Sequence, residues 1–357
     1  MLSNVDITFH PSWWNRYAGI SFNESFFFDA AKRVETDRDM RRALYEYFGE
    51  YGIGEKDPAP RPILFSDLIA CGFLYSQLLG CEVTFSPADA PQVLCADLDD
   101  DAALTLKAPV LEDSVLWQKV EQQISYLESR FGYVESAINL QGIQNIALDL
   151  RGQQLFYDYY DDPDIAHHLL DTATDLSLAI GRRLYRVSKT VSGGVTSIVK
   201  QVVPEVYLTS NCSVTMISNA MYCEHLLRYD KRLAEAFPNF GIHHCGSNME
   251  NVIEGYLQVP NLRFIEIGAG SKLNQIAEAL KAHGKSDIVS CIRYSPVKLK
   301  TADKADIAAD TDSAVKAFGS DENLCFSCVG IDADASLDAV KAYLSVFRET
   351  FNNKTVH

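Results

Sequence analysis

Apolar strands alternating with helical segments, the short connections between them, and roughly eight strand–helix units beyond residue 60 predict an α/β fold. That rhythm fits a closed arrangement better than an open sheet. The expected architecture is a (β/α)8 TIM barrel with an N-terminal helical extension. Residues 1–60 would be the extension, packed on the barrel, and residues 61–357 the barrel as a single catalytic domain. A length of 357 residues would also accommodate two average domains; the unbroken alternation selects one.

The extension opens on an aromatic-rich run, Pro11, Ser12, Trp13, Trp14, Asn15, Arg16, Tyr17, Ala18 and Gly19, before a charged helical stretch at 29–51. Pro58, Pro60 and Pro62 break that pattern. Residues 63–67 read as a short buried strand with a polar end, followed by a helix through Leu79 and a second strand at 81–85. The acidic run at 97–101 reads as a solvated loop. An amphipathic helix is expected over 111–131, a strand over 137–140 closed by Gln141 and Gly142, and then a helix. Another helix begins near Pro163, with Asp161 and Asp162 as potential caps, and runs to about Val187. Residues 193–208 suggest irregular backbone passing into a strand that ends at Thr209, Ser210, Asn211 and Cys212. Ser218 can cap a helix to about Phe237. Strands at 241–245, 264–267, 288–292 and 324–328 then alternate with helices at 249–256, 273–283, 303–317 and 337–351.

Composition excludes several classes of partner. Acidic residues outnumber basic ones by 48 to 32, a formal charge of -16. This argues against nucleic acid and against anionic membranes, both of which require basic surface. No apolar run is long enough to span a bilayer, and the first residues lack the basic-then-apolar pattern of a signal peptide. A cytoplasmic protein is expected. The nine cysteines are odd in number and often sit in apolar stretches, as at Cys71, Cys81 and Cys291. In a reducing compartment they read as buried thiols or ligands.

The chemistry concentrates at strand ends, where barrel sites form. The polar residues expected there are Asp67, Gln141, Asn211 and Cys212, His243 and Cys245, Glu266, Cys291 or Arg293, and Cys328. His243 and Cys245 lie two apart, so on a strand they face the same side and His244 the other. Nitrogen and sulfur donors that converge in this way suit zinc. Cys328, at the last strand end, supplies a third donor; three protein ligands are the pattern of a catalytic zinc, which keeps one position open. Cys325 and Cys328 form a Cys-x-x-Cys, and Cys325 is the competing choice for that third ligand. Glu266 is a candidate for a displaceable ligand or a general base, and Asp67 for a catalytic or helix-capping carboxylate. Asp67, Asn211 and Cys212 are candidate substrate contacts.

The run at residues 11–19, the segments 63–67 and 79–85, and His243-His244-Cys245-Gly246 resemble the uroporphyrinogen decarboxylase superfamily over most of the chain. The resemblance implies a barrel with a substrate-binding aspartate about where Asp67 stands. Ile20 occupies the place of a second arginine, Leu150 the place of a tyrosine and Asn211 that of an aspartate, departures that weaken the tetrapyrrole-decarboxylase alternative. The His-x-Cys-Gly pattern, with Ser327-Cys328-Val329-Gly330-Ile331 downstream, is similar to the zinc-dependent methyltransferase branch. That branch implies Zn2+, and a corrinoid (cobalamin) carried by a partner protein. The expected reaction moves a methyl group between a small molecule (methyl ether, methylamine or thiol) and that corrinoid protein.

Overall fold

Residues 5–189, 191–192 and 195–352 are described in the computed structural model. Ten strands are present among them: β1 (Val5–Phe9), β2 (Ile63–Phe65), β3 (Val83–Thr84), β4 (Gln92–Val93), β5 (Glu135–Ala137), β6 (Val206–Ser210), β7 (Asn239–His244), β8 (Leu262–Ile267), β9 (Val289–Arg293) and β10 (Leu324–Ile331). Six of them form one parallel sheet in the order β1-β10-β9-β8-β7-β6, curled as a half-barrel. β2 and β5 form a separate parallel pair. A bridge between Gln141 and Ser210 ties the chain after β5 to β6.

Two expectations are met only in part. The closed eight-stranded ladder gives way to six strands plus a pair, and no ladder joins β1 to β2 among the described residues. β2 stops after three residues because Phe65 takes a left-handed backbone, φ 63°, which turns the chain out of the strand. Side chains hold the β1–β2 side instead. Ser197 donates its amide and hydroxyl to the Asp6 carboxylate of β1, at 3.0 and 2.8 Å. Lys200 reaches Asp67, just beyond β2, at 2.5 Å. Secondly, the N-terminal segment is not purely helical. β1 is an edge strand of the main sheet, paired with β10 from Val5 opposite Phe326 to Phe9 opposite Ile331.

Smaller corrections follow local chemistry. The segment expected as a strand at 81–85 makes a short antiparallel hairpin, β3 with β4, outside the main sheet. The acidic run is helical in part, because the Asp99 side chain accepts from the Ala102 amide and starts the helix Asp100–Thr105. Gly193 and Gly194, at the head of the expected irregular stretch, lie outside the described residues, as do residues 1–4.

Two of the helix starts read from the sequence hold, and one cap does not. Ser218 accepts from the Met221 amide at 3.2 Å, and Pro163 opens the long helix Pro163–Ser188. Asp162 precedes that helix without making a side-chain cap bond. Asp303 and Asp306 form a reciprocal capping box at the start of Lys304–Phe318.

The sheet separates two apolar layers. Its outer face packs on the helices and includes Ile242, Ile265, Ile267, Phe326 and Cys328. Its inner face holds a smaller cluster of Ile198, Val199, Val206, Leu208, Phe264, Cys291 and Cys325. None of the described helices is long and apolar enough to cross a membrane.

Candidate metal centre

Parallel register builds the site in levels. Ser210, His243, Glu266, Cys291 and Cys325 are successive Cα partners across β6 to β10, so they share the inner face. Two residues further along the same face come Cys212, Cys245, Arg293 and Ser327. The ligand atoms of Cys212, His243 and Cys245 lie within 4.8 Å of one another. His244 points to the other face, where its Nδ1 meets the Tyr256 hydroxyl at 2.9 Å, as alternation requires.

The thiol that the structure brings beside His243 and Cys245 is that of Cys212, expected only as a substrate contact; Cys328 lies apart from them. Cys328 is fully buried in the outer apolar layer, which also holds Tyr343 and Phe347. Burial pushes its thiol up to about 12, far from the thiolate a metal needs. Cys325 faces inward but one level too low, packed against Cys291 and Phe264. A shift of one residue on a strand exchanges the two faces, and the Cys-x-x-Cys spacing puts its members on opposite sides.

Glu266 lies at the bottom of the centre with no exposed surface. One carboxylate oxygen accepts from His243 Nδ1 and, at 2.5 Å, from the Thr196 hydroxyl. The other accepts from Ser327 at 3.0 Å, with Arg293 Nε at 3.5 Å. Burial would raise this carboxyl, but His243 and Arg293 hold it down at about 2. Burial would likewise lower His243, yet Glu266 and the bond to Cys245 raise it to about 9. Cys245 is drawn down to about 4, first by the hydrogen bond from Cys212 and then, against burial, by His243 and Arg293. Cys212 is driven up by the same bond and by burial. The shifts thus run in opposite senses: His243 and Cys212 hold their protons more tightly than usual and Cys245 less tightly.

Two loops set these donors in place. Asn145, from the helix Ile143–Arg151, donates to the Ser210 carbonyl at 2.7 Å and accepts from the Ser213 amide at 3.0 Å and its hydroxyl at 2.5 Å. It also hydrogen-bonds Cys212. On the other side, a Cβ on Gly268 would fall 2.0 Å from the Gly246 carbonyl, so the loop after β8 can lie against the Cys245 turn only as glycine.

The remaining candidates are engaged elsewhere. Asp67 is 5% exposed and bound by Arg61 at 2.5 and 3.0 Å and by Lys200, which hold its carboxyl well below the usual range. Asn211 is buried, donating to Asp230 at 2.7 Å and accepting from Thr209 at 3.2 Å. Sequence reading gave no role to Asn145, Thr196 or Ser327. Thr196 precedes β6 by ten residues, and no local pattern signals that it reaches β8. Ser327 was detectable, because it shares the face of Cys325 on β10.

No protein-family model matches the sequence, and no curated protein matches it. Solved structures do. A methyltransferase from Methanosarcina mazei superposes with a TM-score of 0.65 at 15% identity, over 98% of this chain and 96% of that one. A B12-independent methionine synthase from Shewanella sp. W3-18-1, solved with selenomethionine, superposes with a TM-score of 0.50 at 11% identity, over 99% of each chain. At these identities the likeness establishes a shared fold along nearly the whole length of the chain.

Proposed function

We propose that this protein is a zinc-dependent methyltransferase that moves a methyl group between a small molecule and the cobalt of a corrinoid held by a partner protein. The small molecule would be a methyl ether, a methylamine or a thiol. The observation that carries the reading is the convergence of Cys212, His243 and Cys245 on one face at the C-terminal end of the sheet. Two sulfurs and an imidazole are a donor set suited to zinc, and three protein donors are the count of a catalytic site. The fold shared with a methyltransferase and a methionine synthase supports the same reading.

The residues present fit the ion. Glu266 takes the proton side of His243 Nδ1, which fixes the ring and leaves Nε2 as the donor. Cys245 gives up its proton more readily than an ordinary thiol, because Cys212, His243 and Arg293 stabilise its charge. Arg293 lies beside both sulfurs and moderates the accumulated negative charge. When bound, zinc would supply Lewis acidity, holding an incoming thiol as thiolate or polarising the heteroatom of a methyl ether or amine. Glu266, hydrogen-bonded by His243, Thr196 and Ser327 and faced by Arg293, acts as a positioning group rather than as a free base. The unpaired cysteines suit a reducing, cytoplasmic setting.

The tetrapyrrole-decarboxylase alternative loses support at Asp67. Its carboxylate is already committed to Arg61 and Lys200.

Protein prepared without chelators should carry about one zinc per chain, and His243→Ala should lose it. Metal uptake at pH 7 should release protons, since His243 and Cys212 must give theirs up. The zinc form, mixed with methylcobalamin and a panel of thiols, should bleach the methylcobalamin spectrum. Absence of stoichiometric zinc overturns the metal site. Zinc without methyl transfer to or from any tested thiol, methylamine or methyl ether overturns the reaction.

A further inference from the structure

Away from the candidate metal centre, the register of the β3–β4 hairpin brings two further thiols to facing positions. Val83 lies opposite Val93 and Thr84 opposite Gln92. The Leu94 amide donates to the Glu82 carbonyl at 2.9 Å, which extends the pairing one step and sets Cys81 opposite Cys95. Because Glu82 and Leu94 are the hydrogen-bonded partners, Cys81 and Cys95 occupy the non-hydrogen-bonded kind of pair. There the facing Cα atoms approach to about 4.5 Å, within the range of roughly 4.4–6.8 Å that a disulfide requires. Both side chains turn to the same helix end. Cys81 Sγ is 3.4 Å from the Asp149 carbonyl oxygen, and Cys95 Sγ is 3.6 Å from that of Leu148. Cys95 is exposed and Cys81 buried, so one sulfur is open to an oxidant and the other is placed behind it.

We propose that Cys81 and Cys95 are an oxidisable dithiol that peroxide converts to a cross-strand disulfide. The Cys95 sulfur attacks one oxygen of hydrogen peroxide and the O–O bond breaks. The departing hydroxide takes the thiol proton and leaves as water, and Cys95 becomes a sulfenic acid. The Cys81 sulfur then attacks the Cys95 sulfur, the S–O bond breaks, and the second hydroxide leaves as water with the Cys81 proton. Two thiols lose two electrons and one peroxide gains them. The new bond closes the loop from residue 81 to residue 95 and staples the hairpin.

The test treats the protein as purified with hydrogen peroxide, blocks remaining thiols with iodoacetamide, and maps peptides without reduction. A peptide joining Cys81 to Cys95 should appear, with a melting temperature raised by about 3–8 °C that falls back on reduction. Cys81→Ser, which keeps a donor for the Asp149 carbonyl, should leave Cys95 as a sulfenic acid that dimedone traps. Cys95→Ser should leave Cys81 free for alkylation after denaturation. Full alkylation of both cysteines in peroxide-treated wild type overturns the proposal. So does Cys95 linked to any other cysteine, or oxidised past the sulfenic acid with Cys81 untouched.

Discussion

His243 takes its character from the residue beside it in the register. Glu266 fixes the ring and raises its proton affinity, while Thr196 and Ser327 keep the carboxylate from rotating away. Glu266→Gln should therefore weaken zinc binding by roughly 10–100-fold, the usual cost of losing such a support, with the fold intact. A chelator competition measures it, and unchanged affinity would remove Glu266 from the site. Cys212 and Cys328 make a sharper pair. Cys212→Ser should lose stoichiometric metal. Cys328→Ser should retain it and lose about 1–3 kcal/mol of stability, by burying a hydroxyl among apolar side chains. The reverse pattern in metal analysis would return Cys328 to the ligand set.

At the scale of elements, loops and helices aim these side chains. Asn145→Ala removes the brace of the Cys212 turn. With Co2+ as the probe, it should weaken the sulfur-to-metal absorption while the imidazole stays bound. The Gly268→Ala methyl would collide with the Gly246 carbonyl. We expect a loss of at least about 1–3 kcal/mol in urea unfolding, with metal affinity falling in parallel.

The helix Leu227–Glu235 carries Asp230, which burial raises to about 6 although Tyr222 and Asn211 donate to it. A carboxyl raised in the folded state is most stabilising when protonated. Its contribution is complete below about pH 4 and is lost as pH rises through 6, where the fold must hold a buried anion. Asp230→Asn stays neutral and can still accept both hydrogen bonds. Going from pH 4 to 7, the variant should gain on wild type by an amount on the order of 3 kcal/mol. Parallel unfolding curves at the two pH values would refute this.

Across the whole molecule, the side of the sheet where β1 and β2 fail to pair is tied by charge. Lys200 reaches Asp67, which Arg61 joins to Asp37 on the helix Ala30–Phe48. Lys200→Met should cost about 1.5–3 kcal/mol, because it takes a charged partner from a buried carboxylate that keeps Arg61. Urea denaturation checks the figure, and a neutral result would mean that the seam is held by packing alone.

Much of this was legible in one dimension. Alternation along β7 placed His243 and Cys245 together and His244 apart, and the choice of donors pointed to a soft metal. Ser218 and Pro163 marked helix starts, because caps act within one turn. β1 escaped notice since a five-residue edge strand before an aromatic run has no flanking turn signal. The sequence favoured Cys328 as the third donor and left Cys212 a substrate contact, because side-chain direction at a strand end depends on where the strand stops, and a single residue reverses it. Local periodicity thus determined most of the strands and which residue types could bind a metal. Which donors share one space, and what closes the sheet in place of the missing ladder, was decided only by tertiary structure, since those contacts join residues tens to more than a hundred positions apart and leave no imprint on their sequence neighbours.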